Sequence, residues 1–253
     1  MKERVAILNG HFDPVTRQEA VDSVFAAIAA GRRGWLCTVN VATLMTMRSN
    51  RRLEAFVRDA TWVVADGQPL VWCARLFGGR LPERVAGIDL LDALCRRAAR
   101  DGTPVYLLGT TGVLLGRALA NLRHRHPGLH IDGAHGFFAA EDWPSRADDI
   151  RASGAKLLFV GMGSPRQEYF IAEQWERLGA TVAIGVGGSF DVVSGARFRA
   201  HPLIGKAGLE WTARLVQEPR RLLVRYLVTN SLFLVLVVGA IGARLLRWAT
   251  MKH

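Results

Sequence analysis

Cysteine is scarce in this sequence: Cys37, Cys73 and Cys95 are the whole complement. An odd number, far apart and without a CxxC pair, excludes a disulfide framework and a thiolate zinc site, and points to reduced thiols in a cytosolic compartment. No N-terminal stretch has the charged, apolar and small-residue layout of a secretory signal. There is no Walker sequence, and no complete GxGxxG followed about 20 residues later by an acidic partner, which argues against P-loop enzymes and Rossmann-type oxidoreductases. A DxD dyad of the kind that holds a divalent ion beside a nucleoside diphosphate is also missing. Asp148-Asp149 falls in a polar stretch away from any strand end and reads as a solvated pair. Internal repeats and low-complexity linkers are lacking too.

What is present begins with charge. The 253 residues carry a formal net charge of +11, and half of them are hydrophobic, enough to build a core and to exclude wholesale disorder. Such a charge calls for an anionic partner, whether nucleic acid, anionic lipid or a phosphorylated substrate. Nucleic acid is the poorest fit, because no reader motif or basic–aromatic interleaving occurs. The basic residues crowd the C-terminal third at Arg197, Arg199, Lys206, Arg214, Arg220, Arg221 and Arg225.

Short apolar runs alternate with helical patterns. Trp35–Asn40, Trp62–Ala65, Pro104–Leu108, Lys156–Val160 and Thr181–Ile184 read as strands. Val41–Asp59 reads as one helix and Leu90–Arg100 as another. Strand, glycine-rich turn and helix, repeated, predict an α/β fold: a Rossmann-like, mostly parallel sheet flanked by helices. Ligands of such sheets bind at the carboxyl ends of the strands, so the turns at Asp66, Gly109, Gly161 and Gly185 should gather there. A core over residues 1–195 and a basic, hydrophobic helical appendage over 196–253 are expected. The uncharged run Tyr226–Ala243 would reach roughly 27 Å as a helix, marginal for a bilayer. With Thr229, Asn230 and Ser231 in its first turn, a helix lying in or dipping into the membrane interface is favoured over a span; a buried core helix is the plainer alternative.

Several residues could carry chemistry. Gly109-Thr-Thr-Gly112, Gly161-Met-Gly163 and Gly185-Val-Gly187-Gly188 can present backbone N–H groups and helix N-termini to a diphosphate. Asp66, at a strand end before Gly67, is either a turn former or a general base. Arg84 is a surface charge or an anion clamp. Gln167 and Glu168 open a helix, where Glu168 could complete a capping box near Pro165. Arg214, Arg221 and Arg225 share a helical spacing that Pro219 interrupts, and just before an apolar run they suit lipid head groups or a diphosphate.

Taken in order, these segments resemble the WecG/TagA/CpsF glycosyltransferases. The resemblance runs from about residue 35 to 226. It rests on Thr38-Val-Asn40, Ala65-Asp66-Gly67, Arg84-Val-Ala-Gly-Ile-Asp89, Tyr106-Leu-Leu-Gly109, Gly161-Met-Gly-Ser-Pro-Arg-Gln-Glu168, Gly185-Val-Gly-Gly-Ser-Phe-Asp191, and Gly208-Leu-Glu-Trp211 with Arg214-Leu and Glu218-Pro-Arg220. Residues 1–34 carry no comparable signal. The resemblance implies inverting transfer from a UDP-sugar to a polyprenyl-diphosphate-linked acceptor, at the cytoplasmic face of the membrane; with no DxD dyad, catalysis without a metal or other cofactor is expected. It implies that Asp66 is the general base and that Thr38 and Asn40 share its pocket. It assigns Arg84 and Gln167 to donor or acceptor recognition, and Asp191 with the neighbouring Gly187 and Gly188 to the nucleotide; the turns at Gly109 and Gly161 join that pocket by their place at strand ends. It assigns Arg214, Arg221 and Arg225 to the lipid diphosphate. Family donors include UDP-N-acetylmannosamine, its uronic acid and UDP-glucose; Asp66–Trp72 leans toward glucose or another hexose. Where the family reads Arg-Ala-Pro, this chain has Arg199-Ala-His-Pro202, which alters the local geometry. The oligomeric state stays open. The competing reading is a membrane-associated nucleotide-binding protein without transferase activity.

Overall fold

The computed structural model describes residues 3–198, Ile204 and residues 208–250. The chain begins with an antiparallel hairpin, β1 (Val5–Ile7) and β2 (Gly10–Phe12). Helix α1 (Arg17–Ala29) follows, opened by a capping box in which the Thr16 hydroxyl accepts the Glu19 N–H and Glu19 accepts the Thr16 N–H. These elements precede the first segment of the family resemblance.

Six strands then form one parallel sheet: β3 (Gly34–Val39), β4 (Trp62–Ala65), β5 (Val105–Gly109), β6 (Ile131–Ala134), β7 (Leu157–Gly161) and β8 (Val182–Gly185). Their spatial order is β4-β3-β8-β7-β5-β6. Near-continuous apolar runs suit strands buried on both faces. Alternate side chains go to opposite faces. Leu107 and Phe159 join one core, while Leu108 and Leu158 join the other. On the Leu108 face lie α2 (Val41–Met47), α3 (Arg51–Arg58), α4 (Gln68–Leu76), α7 (Trp143–Ala152) and α8 (Arg166–Leu178). Helices α1, α5 (Gly87–Asp101), α6 (Gly112–Arg125) and α9 (Ser189–Val193) cover the Leu107 face. The α/β expectation holds.

The helix expected over Val41–Asp59 is in fact two. Asn40 Oδ1 accepts the Thr43 N–H at 3.0 Å and starts α2, and Asn50 Oδ1 accepts the Leu53 N–H at 3.0 Å and starts α3. A second asparagine cap beat the continuous apolar spacing.

The appendage is α10 (Glu210–Gln217) and α11 (Pro219–Thr250), broken where Pro219 takes the first helical position. Within α11, Leu222–Arg244 has 23 residues of mean hydropathy 2.0, long and apolar enough to cross a membrane by length and composition. At about 1.5 Å per residue it reaches roughly 34 Å, longer than the run read from Tyr226. α11 packs on α2. Phe233 and Val237 are buried, whereas Leu227, Val228, Leu234, Val235 and Val238 are exposed. The plain core-helix alternative fails, since only 17% of the apolar window is buried. Arg199–Pro202 and the Arg221 side chain lie outside the described residues.

Candidate active site

All six strands run the same way, so their carboxyl ends form one edge. Helix α2 leaves β3 toward one face, while α9 leaves the neighbouring β8 toward the other. That divergence opens a crevice of the kind in which α/β sheets bind ligands. At its floor the Thr38 hydroxyl donates to the Gly185 carbonyl at 3.1 Å. One strand over, Asp66 follows β4 directly, its N–H donating to the Val39 carbonyl at 2.8 Å.

Thr38 and Asp66 meet at the start of α5. A Cβ built on Gly87 would stand 3.4 Å from Thr38 Oγ1 and 3.7 Å from Asp66 Oδ2. The N-cap of α5 is Ala86, whose side chain cannot cap, and the positive end of this 15-residue helix lies at this point.

Asp66 borders a cavity of about 420 Å³, of small-ligand size. Its lining includes polar side chains, Asn40, Asp66, Arg84, Arg214 and Asn230 among them. It also includes apolar ones, Trp72 and Leu76 of α4 and Phe233, Leu234 and Val237 of α11. Trp211 and Tyr226 line it as well, in an edge-to-face pair 5.8 Å apart. Asn40 therefore lines the pocket while its amide oxygen caps α2. Trp72, Trp211 and Tyr226 were missed as site residues. The spacing of Tyr226, Asn230, Phe233 and Val237 would have revealed one helical stripe facing the pocket.

The glycine turns occupy the other half of the edge and do something different. A Cβ on Gly109 would meet the Gly161 carbonyl at 2.4 Å, and one on Gly161 would meet Phe190 at 2.6 Å and the Gly187 carbonyl at 2.9 Å. Missing side chains let the β5, β7 and β8 turns touch backbone to backbone. Gly187 has φ +52° and donates its N–H to Gln167 Oε1 at 3.0 Å. Gln167 in turn donates from Nε2 to Glu168 Oε1 at 2.9 Å. Gln167 is thus buried beneath the turn and bears on any ligand through the turn it holds. Glu168 makes no capping box, because α8 starts after Pro165 without a side-chain cap. It is buried instead, and burial pushes its carboxyl above the usual range, with the nearby Arg225 charge acting the other way.

Gly109, Gly161 and Gly187, expected to share a cleft with Asp66, do not line the cavity that Asp66 borders. By strand order Gly185, Gly161 and Gly109 stand two, three and four strands from β4, roughly 10, 14 and 19 Å at the usual strand spacing. Gly188 borders a separate cavity of about 50 Å³ with Ile88, Ser189 and Arg197. Arg214 lines both cavities. Asp191 sits behind the glycine turns, accepting from Thr110 Oγ1 at 2.7 Å. Arg225 does not line the large cavity.

Asp148 and Asp149 pair with Arg177 and Arg146 at the surface. The three cysteines are free and buried, and burial raises each thiol above its ordinary value. Among the described residues, no three His, Cys, Asp or Glu side chains converge as a metal centre would require.

These features define a doubly wound α/β protein with its ligand crevice at the carboxyl edge of the sheet, opening toward an apolar helix. The chain matches the model of the Glycosyl transferase WecG/TagA/CpsF family over residues 5–246, and it belongs to that family. It is a glycosyltransferase, an enzyme of glycan synthesis, and the family implies a nucleotide-sugar donor and a glycan acceptor. The match reaches both sides of the 35–226 resemblance, taking in the hairpin, α1 and most of α11.

Proposed function

We propose that the protein is an inverting transferase that moves a sugar from a UDP-sugar to a polyprenyl-diphosphate-linked acceptor. The observation that carries this reading is the mixed lining of the large cavity, which brings Asp66, Arg84 and Arg214 together with apolar side chains of α4 and α11. An acceptor with a sugar, a diphosphate and a hydrocarbon tail combines the same two characters.

In this mechanism Asp66 removes the proton from an acceptor hydroxyl. The oxygen attacks the anomeric carbon from the face opposite the nucleotide, the bond from that carbon to the UDP oxygen breaks, and UDP leaves with the bonding electrons. Thr38 and Asn40 shape the pocket beside the base. Turn N–H groups near Gly188 and the arginines neutralise the departing diphosphate, with no metal ion required. Gly109, Gly161, Gly187, Gly188 and Asp191 form the nucleotide side, with Gln167 bracing it. Arg84 serves donor or acceptor recognition, and Arg214, which lines both cavities, together with Arg221 and Arg225 serves the acceptor diphosphate.

The division at residue 196 then separates a catalytic core from a membrane-docking appendage. α11 packs on α2 along one stripe and offers the opposite stripe to lipid, which supports a monotopic helix on the cytoplasmic face. The donor is read as a hexose nucleotide, with glucose first. Incubating membranes that contain the protein with a panel of UDP-sugars and a synthetic polyprenyl-diphosphate sugar tests the proposal. One UDP-sugar should yield an elongated lipid product of inverted anomeric configuration, and the Asp66→Asn protein should yield almost none. Saturable UDP binding without product from any donor would favour a nucleotide-binding protein without transferase activity.

A further inference from the structure

The small cavity is lined by a charge that the proposed chemistry leaves unused, that of Arg197. Arg197 Nη2 reaches Asp191 Oδ2 at 3.2 Å, and Nη1 of the same guanidinium pairs with Glu218 Oε1. Asp191 belongs to α9, while Glu218 is the elbow residue between α10 and α11. Backbone contacts reinforce both grips. The Arg197 N–H donates to the Asp191 carbonyl at 3.1 Å, and Gln217 Nε2 donates to the Phe198 carbonyl at 3.1 Å. Side-chain exposures of 16% for Asp191, 31% for Arg197 and 18% for Glu218 leave the triad better shielded than an ordinary surface pair. A planar guanidinium can reach two carboxylates with separate nitrogens, which a single ammonium group does less well.

Arg214 is one helical turn before Glu218, and its carbonyl accepts the Glu218 N–H at 3.0 Å. Arg214 also lines both cavities. An elbow that swung away from α9 would carry Arg214 out of both. We propose that Arg197 is a positioning residue: it clasps the α10–α11 elbow to α9 and so holds Arg214 at the boundary between the nucleotide and acceptor sides. The kinetic consequence rests on the transferase reading above; the mechanical one does not.

The test uses full-length protein in membranes or mild detergent. Amide hydrogen exchange over residues 210–217 should run roughly tenfold faster in Arg197→Ala, with the β3, β7 and β8 amides unchanged. The acceptor KM should rise about tenfold while the donor KM moves by less than about twofold. Arg197→Lys should recover part of both losses. Glu218→Gln, which loosens the clasp from the other side, should shift both in the same direction. Unchanged exchange over 210–217 in a folded Arg197→Ala protein would overturn the clasp. A rise in donor KM alone would also overturn it, by placing Arg197 at the nucleotide. Should Arg197→Ala not fold, Arg197→Lys and Glu218→Gln decide by the same two readouts. If the wild-type protein transfers no sugar, the transferase reading fails, whereas the exchange measurement still decides the clasp.

Discussion

The two halves of the sheet's carboxyl edge are built from different materials. At β4 and β3 the edge offers side chains around open space: Asp66, Asn40, Arg84 and, from the appendage, Arg214. At β8, β7 and β5 it offers bare backbone, with Gly109, Gly161 and Gly187 in mutual contact. A proton acceptor has to be a titratable side chain free to face its substrate, so that half tolerates little change in chemistry and some change in shape. A diphosphate can be held by N–H groups alone, so the other half tolerates almost no change in shape. Substitutions in the two halves should therefore fail in different ways.

The largest effect belongs to the side-chain half. Asp66→Asn keeps the volume and removes the basicity, so transfer should fall about a hundredfold or more. The thermal midpoint should fall only modestly: the carboxylate's attraction to the α5 N-terminus weakens, while strand packing and the Asp66 N–H bond to Val39 do not depend on the charge. Initial rates and thermal unfolding of the same preparation check this. Turnover near wild type would remove Asp66 from the chemistry.

The backbone half should break by unfolding. In Gly109→Ala the new methyl would lie 2.4 Å from the Gly161 carbonyl oxygen, and two strand ends must separate to admit it. A loss of about 3 kcal/mol is expected, within the range of severe packing substitutions. Gly102→Ala is the control. Gly102 has φ +64° but meets nothing within 4 Å of a built Cβ, so only the left-handed backbone cost of about 1 kcal/mol applies. Urea unfolding of the two variants should rank them in that order. Equal losses would mean that the close approach at Gly109 carries no weight.

Much of this arrangement was legible beforehand. Strand ends rich in glycine marked where bare backbone would line the edge, as N–H donors, but not the close approach of one turn to the next that the structure shows. Asp66 announced itself only through the family resemblance, since Asp-Gly alone is as good a turn as a base. Three things stayed hidden for physical reasons. The Asn50 cap cannot be told from a solvated asparagine until the chain folds. Glu168 looked like a capping residue by spacing, yet its side chain turns into the core beneath the glycine turns. The separation of Asp66 from Gly109 depends on strand order, which local pattern does not encode: β8 and β7 are inserted between β3 and β5.

Glu168 gives a smaller effect with a definite sign. Burial raises its carboxyl in the folded protein above the ordinary value of 4.5. As pH rises past that ordinary value the unfolded chain releases the proton first, while the folded chain still holds it. The folded state therefore loses stability across the window from 4.5 up to the raised value, and is not penalised below it. Glu168→Gln has no proton to release and keeps an oxygen that can accept from Gln167. Its stability relative to wild type should increase with pH through that window and then level off. Unfolding curves at several pH values measure it; a difference that stays flat with pH would show that the Glu168 carboxyl titrates normally in the fold.

The smallest expected effect tests whether backbone and arginines suffice on the donor side. If turn N–H groups, helix N-termini and guanidinium groups neutralise the departing UDP, a divalent ion has no charge left to balance. Extensive treatment with EDTA should then change the transfer rate by less than about twofold, whereas an ion bridging the diphosphate would contribute several kcal/mol to the transition state. The decisive pattern is loss of transfer on chelation followed by recovery with manganese. That result would mean the glycine half of the edge cannot hold a diphosphate unaided, and the division of labour between backbone and side chain would have to be redrawn with a cation between them.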